Sequence, residues 1–258
     1  MVTEKENNIQ SHFNKESYMI RLDKDPQHIF RIYGLCGLQA GIIAKNANSV
    51  NYSDGGIEVR FKEKMLIYKA TGILPEHIVM LDQVHGKEII EILRPPLKNE
   101  PFVAQADGLI TTVHGVCLVI RTADCVPVIL YDDQNGVVSA LHSGWRGCAH
   151  NITAEGIKRL LHKGAKPSSM YVLVLPSISP QAYEIGQDVA SQFDGYVLQK
   201  EGKLYLNMWQ HIKDTALHND IPEQNIFISN MCTLQHNTEF FSYRKGDNGR
   251  NLNFVYLA

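Results

Sequence analysis

The chain has 258 residues, 44% of them hydrophobic and 20% charged, with a formal net charge of -2. That composition belongs to a globular protein with enough chain to bury a core, and one domain over 1–258 is within the ordinary range. It leaves no basic excess of the kind nucleic acid or an anionic membrane requires, although a local basic pocket for a small anion stays compatible with it.

In chain order, the first stretch, MVTEKENNIQSHFNKE, is polar and lacks the apolar run of a signal peptide, so residues 1–16 are expected to be a flexible segment of a cytoplasmic protein. Strands are predicted over Tyr18–Leu22, Ile78–Gln83, Glu88–Leu93, Gly108–Thr112, Val116–Arg121, Val126–Tyr131, Val137–His142, Tyr171–Leu175 and Asn225–Ser229. Helices are predicted over Glu58–Ala70, Ala149–His162, Gln187–Phe193 and Met208–His218, the second carrying Ala149, Ile152, Gly156, Leu160 and Leu161 at helical spacing and the fourth capped by Asn207. The longest apolar stretch, GVCLVIRTADCVPVILY, is interrupted by Arg121 and Asp124 and is no membrane span. YDDQNGVV is a hairpin turn, which makes the strands on either side of it antiparallel neighbours. GILPEHIVMLDQ, AKPSSMYVLVLP and NDIPEQNIFISN each place a proline between a helix and a strand, by duplication or by chance. The architecture expected is a mixed α/β one, a largely antiparallel or mixed sheet core with helices outside.

The hairpin brings chemistry with it. Cys125 precedes one of its strands and His142 ends the other, so the two lie near each other. His85, followed by Gly86, ends a third strand. Two imidazoles and one thiolate at strand ends make the donor set of a catalytic zinc site with one open position. The same residues allow other readings. Cys125 can be a small buried hydrophobe, His85 can cap a turn, and Cys125 with His142 can be the nucleophile pair of a cysteine hydrolase. Cys36, Cys117, Cys148 and Cys232 have no comparable partner and are taken as structural, and five cysteines without tight clustering form no disulfide framework. His150 and His162 are assigned to a solvated helix surface. In GWRGCAHNI a helix starting near Cys148 would offer free amides, with Arg146 completing an anion pocket, unless Arg146 is simply a surface residue. FFSYRKGDNGR places Tyr243, Arg244, Lys245 and Arg250 in one stretch that closes over a substrate or forms a solvated turn.

DQVHG, ADGLIT, RTADCVPVILYD, HSGWRG, SPQAYEIG and FFSYRKGDNGR occur in this order. From about Leu81 onward the chain resembles the YfiH-type family, whose members carry both laccase-domain or polyphenol oxidase names and the name purine nucleoside phosphorylase. The resemblance implies a layered α/β/β/α fold with mixed, largely antiparallel sheets, and a zinc site on His85, Cys125 and His142. It implies phosphorolysis of adenosine, inosine, guanosine and methylthioadenosine, with adenosine deamination beside it, by a monomer or small homo-oligomer. Arg146, Tyr243 and Arg244 become candidate substrate-binding residues on the same ground. A multicopper centre is not expected: the chain has 11 histidines and no His-x-His pair, so a single copper is the most that could substitute for zinc. The family's usual arginine in the N-terminal third has no counterpart here, with Leu38 or Gln39 near its place. Gln181 and Ala182 replace the usual cysteine pair, and Asn207 an aspartate, while Tyr183 and Glu184 are kept. A metal set that is complete beside a depleted substrate set leaves a zinc-binding member with lost or shifted activity as an alternative.

Overall fold

The computed structural model describes residues 19–97 and 104–258. The expected flexible segment 1–16 and the start of the first strand at Tyr18 lie outside the described residues.

One six-stranded sheet contains β1 (Arg21–Lys24), β2 (Ile29–Tyr33), β3 (Leu38–Ile43), β4 (Ile78–Met80), β7 (Cys117–Thr122) and β15 (Asn251–Leu257), in the order β1-β2-β3-β15-β7-β4. The second contains β5 (Ile89–Ile92), β6 (Gly108–Thr111), β8 (Val126–Asp132), β9 (Val137–Ser143), β10 (Met170–Val174) and β14 (Ile226–Ile228), in the order β14-β10-β8-β9-β6-β5. Pairing is antiparallel except where β4 joins β7, β5 joins β6 and β14 joins β10. A small third sheet is made by β11 (Glu184–Ile185), β12 (Val197–Lys200) and β13 (Lys203–Leu206).

The layers follow from three apolar clusters. Ile67 of α1 (Gly56–Thr71) packs with Ile43, Val119 and Phe254 on the outer face of the first sheet. Phe30, Leu118 and Val255 meet Leu109, Ile129 and Val138 between the two sheets. Ile157 and Leu160 of α3 (Ile152–His162) and Ile212 of α5 (Met208–His218) cover the far face of the second sheet. The result is the expected α/β/β/α sandwich. With a layer on each side, β8 and β9 are buried along their whole length, which is why they read as unbroken apolar runs rather than alternating ones. No helix among the described residues is long and apolar enough to cross a membrane.

The hairpin forms as expected, with Val126 opposite Ser143 and Pro127 opposite His142. Its loop is the four residues 133–136, closed by Gly136 at a φ of 58°. Each proline junction is a single 3-10 turn, at Pro75–His77, Pro167–Ser169 and Glu223–Asn225, leading into β4, β10 and β14. Asn207 caps α5 by accepting from the Gln210 amide at 3.0 Å.

The continuous helix expected from Ala149 to His162 is two helices. A five-residue α2 (Trp145–Ala149) starts earlier, and Asn151, at a φ of 55°, breaks the chain and caps α3 through Ala154. Leu161 is exposed and Ile157 takes the core position instead. Gly156 lets α3 sit directly on the hairpin, since a Cβ there would lie 2.7 Å from Leu130 Cδ1 and 2.8 Å from Leu141 Cδ1. The helix expected over Gln187–Phe193 is the single turn α4 (Gln187–Ala190). Strands β2, β3 and β15 were not expected. β15 is central to its sheet, but its buried Asn251 and Asn253 interrupt the apolar pattern. Asn253 is satisfied there by Ile120 O at 3.1 Å and Thr122 Oγ1 at 3.0 Å.

Candidate metal centre and its two flanks

His85, Cys125 and His142 converge at the open end of the β8–β9 hairpin, with one donor atom from each lying within 4.8 Å of the others. The two imidazole rings are 4.8 Å apart, centroid to centroid, and nearly perpendicular. Gly144 makes the approach possible: a Cβ there would lie 3.1 Å from both Cys125 Sγ and His85 Cδ2.

One buried carboxylate organises two of the three. Asp107, at the start of β6, takes His142 Nδ1 at 2.7 Å and the His85 amide at 2.9 Å on Oδ1. Its Oδ2 accepts from the amides of Gly86 at 2.6 Å and Val84 at 3.2 Å. The ring of His142 is therefore oriented with Nε2 turned toward Cys125, the arrangement that a carboxylate behind a metal-binding histidine imposes. The amide bonds hold His85 in the left-handed region, at a φ of 62°. Burial works against the charge of Asp107, but the bonds from His142 and Gly86 hold its carboxyl below the usual range. On the other side Asp124, at a φ of 84°, anchors the turn before Cys125. Its carboxylate accepts from Thr233 Oγ1 at 2.6 Å, Ser242 Oγ at 3.1 Å and the Arg244 amide at 2.8 Å, tying the C-terminal loop to the site.

The donor chemistry fits a metal. Burial opposes the Cys125 thiolate, but His142, by charge and hydrogen bond, and His85 pull the thiol down to about 6. The same partnership, with Asp107 behind it, takes His142 up to about 9 against the cost of burial. Zinc bonds of ~2.0–2.3 Å place neighbouring donors roughly 3.3–3.8 Å apart in a tetrahedron, within reach of this spread.

The cluster stands between two cavities of different character. The larger, about 700 Å³, reaches from His85, Cys125 and His142 to Arg60, Arg121 and Arg250. Arg121 Nε donates to Glu63 Oε1 at 3.0 Å, and that carboxylate is fully buried on the inner face of α1. Gln83 clamps the Arg121 backbone in both directions, accepting from its N–H and donating to its carbonyl, each at 2.8 Å. Arg60 is held by the Leu81 carbonyl and the Asp82 carboxylate. The smaller cavity, about 250 Å³, is lined by Trp145, Tyr183, Ile178 and Met208 together with Arg146, Tyr243 and Arg244.

The three candidate substrate residues thus come together, on the aromatic flank. Arg146 stacks over Trp145 at 4.3 Å and Arg244 over Tyr183 at 5.1 Å, and Tyr243 is exposed at the junction of both cavities. The helix expected to start near Cys148 starts earlier, at Trp145. Arg146 lies inside the five-residue α2, and the longer α3 has its amide end at Asn151, where the asparagine side chain already caps it. The arginine missing near Gln39 stays absent from the large cavity's lining, which draws its arginines from other elements. Leu38 is buried between the sheets and Gln39 is on the exposed side of β3, while three arginines from elsewhere line the large cavity. Asp107, Arg60 and Glu63 went unnoticed in the sequence. The available signals were a carboxylate beside the strand-opening Gly108 and a glutamate on the core-facing side of a helix. Cys148 is not without a partner: its Sγ is 3.2 Å from His211 Nδ1, but burial pushes this thiol up to about 12 and keeps it neutral. All five cysteines are free, and His150 and His162 are exposed as expected.

Residues 36–258 match the family described as multi-copper polyphenol oxidoreductase laccase. A protein of Deinococcus radiodurans named purine nucleoside phosphorylase is 32% identical over 188 residues, covering 70% of each chain. The adenosine deaminase RL5 of an unknown prokaryotic organism is 29% identical over 62% of this chain and 65% of its own. The fold is shared with the crystal structure of the Bacillus licheniformis hypothetical protein YfiH, at a TM-score of 0.81 and 22% identity, over 92% of this chain and 99% of that one.

Proposed function

The chain belongs to the YfiH-type, laccase-domain family, and from that membership we propose that it is a zinc-dependent purine nucleoside phosphorylase acting as one domain in the cytosol. Its substrates are adenosine, inosine, guanosine or methylthioadenosine with inorganic phosphate, and adenosine deamination is a second activity of the same centre. The observation that carries this reading is the convergence of His85, Cys125 and His142 between a cavity lined by arginines and one lined by aromatic rings.

In phosphorolysis a phosphate oxygen bonds to C1′ of the ribose as the C1′–N9 bond breaks. The electron pair leaves with the purine, which takes up a proton. His85, Cys125 and His142 would hold the zinc, which when bound supplies Lewis-acid stabilisation of a substrate oxygen or activation of water. Phosphate belongs on the arginine flank. Arg121 is the main candidate there, because Glu63 and Gln83 hold it in place before substrate arrives, so little ordering is needed on binding. The purine belongs on the aromatic flank, between Trp145, Tyr183 and Tyr243, with Arg146 and Arg244 at its edge. The test is release of base from adenosine, inosine and methylthioadenosine by the zinc-loaded protein, with and without phosphate. Release that depends on phosphate supports the reading. Failure of a zinc-loaded protein to release any base overturns it.

A second reading has one observation in its favour. Cys125, His142 and Asp107 stand in the order nucleophile, base and orienting carboxylate, the arrangement of a cysteine hydrolase. It requires activity that survives chelation and ends on alkylation of Cys125. Protection of Cys125 from alkylation until metal is stripped decides for the zinc centre.

A further inference from the structure

A second chamber adjoins the arginine-lined one. It has a volume of about 760 Å³ and shares Arg60, Asp82, Arg121 and Arg250 with its neighbour as a common wall. Beyond that wall it is lined by Tyr52, Asp54, Ile57, Val59, Met80 and Lys64, and not by the His85–Cys125–His142 cluster. One inorganic phosphate beside the cluster gives this second space nothing to do.

Its charges are unevenly paired. Asp82 is taken by Arg60, and Asp54 by Lys62, which is not part of the lining, at 2.7 Å. Glu63 sits behind Arg121, wholly buried, with Oε1 on the guanidinium and Oε2 without a hydrogen-bond partner. Among the described residues Arg250 donates only to the carbonyls of Asn248 and Gly249, at 2.9 and 2.8 Å. Lys64 is half-buried on α1, one turn after Arg60. Burial and the charge of Arg121 push Arg60 below its ordinary range, and burial and Arg60 do the same to Lys64. Like charges crowded at a partly desolvated wall cost free energy that an incoming anion relieves.

We infer that the second chamber receives a phosphoryl group carried by the substrate, so that purine nucleoside 5′-monophosphates are substrates alongside free nucleosides. This rests on the phosphorylase reading of the neighbouring centre. Inorganic phosphate attacks C1′ as before, the C1′–N9 bond breaks, and the products are the purine, which takes up a proton, and ribose 1,5-bisphosphate. The 5′-phosphate stays on Lys64 and Arg250 throughout and takes no part in bond making.

Calorimetric titration of the zinc-loaded protein with adenosine 5′-monophosphate, adenosine and inorganic phosphate, each alone, separates the possibilities. The monophosphate is expected to bind about 10-fold or more tightly than adenosine, the worth of one or two charge-assisted bonds. Lys64→Gln is expected to remove that advantage, Lys64→Arg to retain it, and adenosine affinity to stay the same in both. Equal affinities for nucleoside and monophosphate overturn the inference, as does an advantage that survives Lys64→Gln. Inorganic phosphate bound with the same dependence on Lys64 overturns it too, by making the chamber a site for the co-substrate. A Lys64-dependent advantage in a protein that releases base from neither compound upholds the subsite and overturns the phosphorylase reading instead.

Discussion

The two flanks of the His85–Cys125–His142 cluster are built on opposite principles. The arginine flank is a set of charges imported from three distant places: Arg60 from α1, Arg121 from β7 and Arg250 from the approach to β15. Each is pinned by a carboxylate or a carbonyl. The aromatic flank is made of rings and two exposed arginines stacked on them, with few directional bonds. A wall of pinned charges recognises an anion by position. A wall of rings recognises a flat, weakly polar group by area and tolerates variation in its edge. On the proposed phosphorylase reading, the difference teaches that phosphate and base selectivity should be separable by mutation even though both would depend on the same central cluster.

The largest effect breaks both flanks at once. His142→Ala or Cys125→Ala is expected to abolish zinc binding, from about one ion per chain, and to lower kcat for every nucleoside on the order of 10³-fold. Metal analysis beside initial rates checks this, and a metal-free variant with full activity would refute the shared centre. Asp107→Asn keeps the shape but loses the charge behind His142, and should weaken zinc binding about 10–100-fold, read by competition with a chelator. Arg121→Gln tests the charged flank alone. The KM for phosphate should rise about 10-fold, while nucleoside affinity measured without phosphate changes little. Tyr183→Leu is the converse: nucleoside KM should rise by a few-fold, from the loss of about 1 kcal/mol of ring contact, with phosphate KM unchanged. If both variants move both constants equally, the two flanks are one pocket.

The smallest effect concerns the loop that joins them. Asp247 accepts from Lys45 Nζ at 2.8 Å, the Ser242 amide at 2.9 Å and Asn237 Nδ2 at 2.5 Å. Burial opposes its charge, but these bonds hold its carboxyl below the usual range. A depressed folded-state pKa contributes stability above the unfolded value, lost as the pH falls through the folded one. For a partly exposed pair this amounts to less than about 1 kcal/mol. Amide-exchange protection in residues 242–247, taken relative to the intrinsic rate at each pH, should therefore fall in acid, and in Asp247→Asn that fall should be absent.

How far the site can be read along the chain depends on how local its geometry is. The Cys125–His142 proximity is a property of one hairpin, and Asn-Gly between two apolar runs is enough to find it. His85 joins from outside the hairpin; its strand-end position made it a candidate third donor, and the family resemblance strengthened that reading. Asp107 is held 22 residues from His85 and 35 from His142 by hydrogen bonds that have no trace in sequence spacing. Arg121 did announce itself, as the charge that interrupts the longest apolar run, but its partner Glu63 lies 58 positions away on another layer.

The sequence by itself determined a sheet core with helices outside it, and the hairpin, while the α/β/β/α layering was what the family resemblance implied. A sheet core follows because buried strands must be apolar on both faces and helices on one, and a turn dictates the pairing of its own neighbours. It also determined that Cys125 and His142 meet. Only the tertiary structure decided what surrounds them: that Asn253 can be buried in mid-sheet, that α3 starts only after Asn151, and that Arg60, Arg121 and Arg250 share one cavity. Those outcomes depend on which elements stack across a sheet. A buried charge or amide is tolerated only where a partner from far along the chain satisfies it, so its place cannot be read until the partner is in position.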